Sequence, residues 1–116
     1  MIPAHLLPHT VTVVRPAAST DSHGNTVLDY GAGATRTQVR AWLQQDHRSE
    51  PLADGRDPLV QRWLLVTNHR DIHGRDRIEW SDMPGVTWEV DGPPAPLYTP
   101  SQGYHHLEAN LRVVEG

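Results

Sequence analysis

The sequence predicts an all-β fold: a small single-domain β-barrel of about six to seven mostly antiparallel strands with one long loop. Three observations carry this. Apolar residues recur at every second position in one segment after another. Ten prolines and nine glycines fall mostly between those segments, as turn punctuation. No stretch keeps the i, i+3, i+4, i+7 apolar spacing of an amphipathic helix for more than about two turns.

The clearest element is a hairpin over residues 76–94. Ile78 and Trp80 share one face, and Val86, Trp88 and Val90 share one face after the break. Arg77, Glu79, Thr87, Glu89 and Asp91 point the other way. Pro84-Gly85 between them favours a type II turn, because proline fixes φ and glycine accepts a positive φ. The loop is expected to span about five residues.

The other elements are read as partners of this hairpin. Residues 1–8 read as an irregular N-terminal arm and residues 9–116 as the barrel domain. The stretch 9–15 is β-branched and alternating, and Pro16 ends it. Residues 17–22 read as a polar connection leading to a turn at His23-Gly24-Asn25, and 26–30 as a short returning strand. Residues 35–45 form a long strand with Thr37, Val39, Ala41 and Leu43 on its apolar face. Trp42 stands on the polar face with Arg36, Gln38, Arg40 and Gln44, the position of a rim contact or of an aromatic packed under a loop.

Alternation vanishes over residues 46–58, a charged loop that contains Asp46, His47, Arg48, Glu50, Asp54, Arg56 and Asp57. Structureless loops of that length are uncommon in compact domains and are often functional. Residues 59–67 resume as a strand that is apolar on both sides: Val60, Leu64 and Val66 with Arg62, against Trp63 and Leu65. Such a strand is central, or is covered by a second subunit. Residues 68–74 read as turns and 95–103 as proline-rich and irregular. Residues 105–115 form the last strand, with Leu107, Ala109, Leu111 and Val113 inward. The core is expected from Trp63, Ile78, Trp80, Val86, Trp88, Val90, Leu107 and Leu111. Burying each such side chain stabilises by roughly 1.5–3 kcal/mol before entropy costs.

Composition limits the function. At 116 residues a single domain can bury one modest core without a cofactor. There is no cysteine, which removes disulfides and thiolate metal sites. No apolar run reaches about 18 residues. The proline-cut N-terminus does not read as a signal peptide, so folding in the cytoplasm is expected. A net charge of −4 weighs against an obligate nucleic-acid binder. All ten basic residues are arginine, best read as the mark of a GC-rich genome.

Eight histidines invite a metal reading, but the spacing does not support one. His105 and His106 are adjacent and would point to opposite faces of a strand. His69 and His73 sit in a turn region rather than on a helix. Asp21, His23 and Asn25 lack a bidentate acid at a calcium-loop spacing. Asp57, Asp76 and Glu79 are the candidate acids, but charges at strand ends are ordinarily solvated, and no nucleophile motif is present. No catalytic residue, metal or cofactor is expected.

The order of short motifs is more informative than any one of them. Residues 9–16 are followed by Asp21-Ser-His-Gly-Asn-Thr, Val39-Arg-Ala-Trp-Leu-Gln-Gln, Glu50, Gly55-Arg56-Asp57 and Arg62-Trp-Leu-Leu. Asp76-Arg77, Thr87-Trp-Glu-Val-Asp-Gly-Pro and His106-Leu-Glu-Ala-Asn-Leu-Arg complete the series. Across almost the whole chain this resembles the head-closure (stopper, head–tail joining) proteins of long-tailed bacteriophages. The resemblance implies a structural protein of the virion neck and no enzyme. It implies a ring of six or twelve copies between the portal-bound adaptor and the tail terminator, assembled in the host cytoplasm. Double-stranded DNA would pass through the ring without sequence-specific binding. The segment 46–58 would be the channel or inter-subunit loop, and Trp42, Arg62 and Tyr98 possible interface residues. The alternative is a small barrel that binds single-stranded nucleic acid, with Trp42, Arg36, Arg40 and Arg62 against the bases.

Overall fold

The computed structural model describes residues 1–46 and 62–115. Among them are nine strands: β1 (His9–Arg15), β2 (Ala17–Thr20), β3 (Thr26–Asp29), β4 (Thr35–Gln45), β5 (Arg62–Thr67), β6 (Arg77–Trp80), β7 (Thr87–Val90), β8 (Ala95–Thr99) and β9 (Gly103–Glu115). The main sheet runs β5-β4-β1-β6-β7-β9 and closes through a β5–β9 ladder, with β8 added beyond β9. The fold is therefore a closed six-stranded antiparallel barrel with one extra strand. Closure removes the free edges that an open sheet would expose.

The alternation read from the sequence sets the register. Val11 and Val13 face Val39 and Thr37 on one side and Trp80 and Ile78 on the other. Trp63, Leu65 and Thr67 face Leu111, Ala109 and Leu107. The interior is filled by Val11, Val13, Val39, Ala41, Leu43, Leu65, Ile78, Trp88, Val90, Leu107, Ala109 and Leu111. Trp63, Trp80 and Val86, expected in the core, are only partly buried and pack against it from the rim. Ile72 joins the core from the connection between β5 and β6.

The hairpin turn forms as the Pro-Gly pair requires. Met83 accepts a hydrogen bond at its carbonyl from the Val86 N–H at 3.3 Å, and Gly85 has φ 85°. A preceding turn, Met83 N–H to the Trp80 carbonyl, lengthens the connection by one residue over the expectation. Gly85→Ala forces a Cβ into a left-handed conformation. It is expected to lower the unfolding free energy by about 1–2 kcal/mol, measured by urea denaturation.

Two expectations are corrected. Residues 17–20 are not a plain connection but strand β2, paired with β3 as a separate exposed hairpin. Its turn is held by the Asp21 carboxylate, which accepts the N–H groups of His23 and Asn25, both at 2.9 Å. Residues 95–99 are not irregular but strand β8, paired with β9. Pro96 is tolerated there because β8 is an edge strand, where one missing N–H costs no ladder bond.

The arm over residues 1–8 is docked on the barrel. It contains one 3-10 turn (Ala4–Leu6) and buries Leu7. Asn68 grips the Ile2 backbone in both directions: its Oδ1 accepts from Ile2 N at 3.0 Å and its Nδ2 donates to Ile2 O at 2.8 Å. The arm lies where β4 diverges from β5, whose ladder with β4 covers only residues 41–45 of that strand.

Candidate functional site

The charged loop has only its root in view. Asp46 is half-buried, and its N–H donates to the Arg62 carbonyl at 2.8 Å. His47, Arg48, Glu50, Asp54, Arg56 and Asp57 lie outside the described residues, as do Leu59 and Val60. The root emerges where Gln45 faces Trp63 at the ends of β4 and β5.

Next to that root, the register assembles a patch on the outer wall. Trp42 lies directly opposite Val66, and Gln44 opposite Leu64. Directly opposed residues project to the same side of a sheet. Because Leu43 and Leu65 fill the interior, Trp42, Leu64 and Val66 face outward together. Trp42 is 38 % exposed, and Leu64 and Val66 are half-buried. The two-sided apolar character of the strand therefore places Leu64 and Val66 on the outside of the barrel, where no second layer covers them among the described residues.

Trp42 is held in place. Its ring stacks on His9 with centroids 4.9 Å apart, and His9 in turn contacts Trp80 at 4.4 Å. The His9 Nδ1 accepts the Leu43 N–H at 3.0 Å, just beyond the point where β1 stops pairing with β4. The imidazole thus stands in for a missing strand carbonyl. The Trp42 indole N–H donates to Gln44 Oε1 at 2.6 Å.

The three expected interface residues do not form one site. Trp42 and Arg62 lie near the loop root, with Arg62 exposed opposite Arg112. Tyr98 lies on β8, beyond the other end of β5. It is 56 % exposed and packs edge-on to Tyr104, with centroids 6.0 Å apart. The Arg70 guanidinium sits 4.8 Å from the Tyr104 ring and 5.7 Å from that of Tyr98.

Of the three candidate acids, Asp57 lies outside the described residues, and Asp76 and Glu79 are held in ion pairs. Asp76 is not solvated at a strand end but 1 % exposed. Arg15 meets it with two parallel bonds, Nε to Oδ1 at 3.1 Å and an Nη to Oδ2 at 2.9 Å. The His73 N–H adds a third at 2.8 Å. Arg15 also reaches the Asp71 carboxylate at 3.0 Å and holds it below the usual carboxylate range. Both carboxylates hold the Arg15 guanidinium more firmly charged still. Glu79 pairs with Arg36. Among the described residues, no group of three or more His, Asp or Glu side chains is arranged to hold a metal.

One expectation about the histidines is overturned. His105 and His106 do not diverge. The β8–β9 register passes from Leu97↔His106 to Tyr98↔Tyr104, which leaves His105 as the extra residue of a β-bulge. The bulge turns both rings to one side, with Nδ1 atoms 2.7 Å apart.

No family model and no curated protein matches the sequence. Among solved structures, the chain is similar to the solution structure of protein SF1141 from Shigella flexneri 2a. That likeness covers 93% of each chain at 20% identity, with a TM-score of 0.57. At this identity it speaks for the fold alone.

Proposed function

We propose that this chain is a structural virion protein of a long-tailed phage. It forms a ring in the neck that joins the portal-bound adaptor to the tail terminator, and it helps to close the DNA channel after packaging. The observation that carries the proposal is the outward row Trp42–Leu64–Val66 beside the root of the 46–58 loop. A closed barrel gains nothing by placing apolar side chains on its outer wall, whereas a neighbouring subunit would cover them. Among the described residues, the outer edge of β8 and the edges of the separate β2–β3 hairpin have no strand partner, and such edges are of the kind that head-to-tail ring contacts use. The loop's mixed charges would add inter-subunit ion pairs, each weak but repeated around the ring. The net charge of −4, mildly acidic, suits a channel through which DNA slides.

The single-stranded nucleic-acid reading gains less support. Arg36 is engaged by Glu79, and Arg40 donates to the Leu7 carbonyl at 2.9 Å, so two of its three arginines already have protein partners.

The test is in vitro tail joining, with heads of the encoding phage that lack this protein. Added wild-type chain is expected to restore DNA retention and tail attachment. Val66→Glu stands opposite Glu108, so it is expected to cost about 1 kcal/mol or less of stability, yet to restore less than about a tenth of that activity because the charge is desolvated at the contact. Full activity from Val66→Glu would overturn the assignment of this face.

A further inference from the structure

The His105–His106 contact has a definite proton count. His106 Nε2 lies 3.0 Å from Glu108 Oε2, and a carboxylate only accepts, so His106 carries its proton on Nε2. Neutral His106 then presents a lone pair at Nδ1, and the hydrogen across the 2.7 Å contact comes from His105 Nδ1. The result is a directed chain from His105 to His106 to Glu108. One added proton is accommodated: His106 becomes the Nδ1 donor, and His105 shifts its hydrogen to Nε2 and accepts. A second added proton puts N–H groups on both facing nitrogens, and the contact becomes a repulsion between two cations.

The surroundings decide how readily that happens. The Glu108 carboxylate on β9 is bonded to His106 Nε2. Burial holds the His105 imidazole below the ordinary histidine range, and the Met1 amino group and His106 act in the same direction. From the segment after β5, Arg70 stacks on Tyr104, the residue before His105. Strand β8 brings no charged side chain, only Tyr98. On β5, the residues opposite Glu108 and Leu107 are Val66 and Thr67, both uncharged.

The two rings sit on the bulge that sets the β8–β9 register, and β8 has no other strand partner among the described residues. We infer that His105, His106 and Glu108 form a proton-operated clasp on this end of the sheet: it stays closed with up to one added proton and releases β8 when a second arrives. The sign follows from linkage. A histidine whose folded form favours the neutral ring contributes stability that is full above its ordinary value of 6.5 and is lost as the pH falls through its lowered value. The clasp belongs to the fold and does not depend on the ring reading.

The experiment is a histidine and amide NMR titration of the full chain from about pH 8 to about pH 4.5. The wild-type chain is expected to lose about tenfold or more in amide protection along the β8–β9 ladder on the acid side, while the β1–β4 ladder is unchanged. His105→Gln keeps a side-chain amide that donates to the His106 Nδ1 lone pair when the ring is neutral and accepts from it through Oε1 when the ring is protonated, and is expected to hold β8 across the range. Glu108→Gln removes the carboxylate 3.0 Å from His106 Nε2, and the release is expected to move to lower pH. Independent titration of the two rings with no change in β8 exchange would overturn the clasp, as would the same acid loss in His105→Gln.

Discussion

Arg15→Met is expected to lower the unfolding free energy by about 3–5 kcal/mol. The Asp76 carboxylate is 1 % exposed and takes two bonds from Arg15. Removing the guanidinium leaves a buried charge whose remaining donor among the described residues is the His73 N–H. The partners are not equivalent, and the asymmetry makes the prediction specific. The Arg15 side chain is about one-third exposed and also holds Asp71. Its charge is therefore rehydrated when Asp76 is lost, so Asp76→Asn is expected to cost less, about 1–3 kcal/mol. Asp71 is exposed, and its replacement should have little effect. Urea denaturation of the three variants at neutral pH checks the order. A larger loss for Asp71→Ala than for Arg15→Met would contradict it.

Trp88→Ala is expected to cost about 3–5 kcal/mol and to leave the chain largely unfolded at elevated temperature. Trp88 is wholly buried, its ring meets Trp63 edge-on at 5.3 Å, and it is paired on both sides, with Ile78 on β6 and Val113 on β9. It therefore packs where the opening hairpin meets the closing strand. Its indole N–H has no acceptor among the described residues. The side chain thus contributes through packing, with its N–H unpartnered among the described residues. Trp88→Phe deletes that group and part of the volume, and should cost well under half as much. Thermal unfolding followed by circular dichroism separates the two. Equal losses would mean that the N–H does have a partner. A Trp88→Ala chain that folds normally but fails to assemble would make the hairpin an interface rather than core.

Strands that bury one face were legible, and those that do not were missed for a physical reason. The stretches 9–15 and 35–45 alternate because one side fills the barrel, so the pattern and the boundaries agree. Strands β2 and β8 are exposed nearly throughout, so burial left no alternation to read. They are strands because of a capped turn in one case and a long partner strand in the other. The burial of Asp76 was hidden because its partner is 61 residues earlier, and a charge at the start of a strand carries no local mark of its fate. The histidine contact was hidden because a bulge belongs to the pairing of two strands, while alternation describes only one. At the candidate interface, Trp42 was legible as the odd residue on a polar face. Its neighbours Leu64 and Val66 became part of the same patch only through the β4–β5 register.

The ring reading rests on that outer patch and on the order of short motifs. Electron cryomicroscopy of neck assemblies from particles that encode this chain tests it most directly. The account predicts a ring of these barrels between the portal-bound adaptor and the tail terminator, with Trp42, Leu64 and Val66 covered at a subunit contact and the 46–58 segment turned toward the channel. Density between portal and tail tube that cannot accommodate this chain would contradict it.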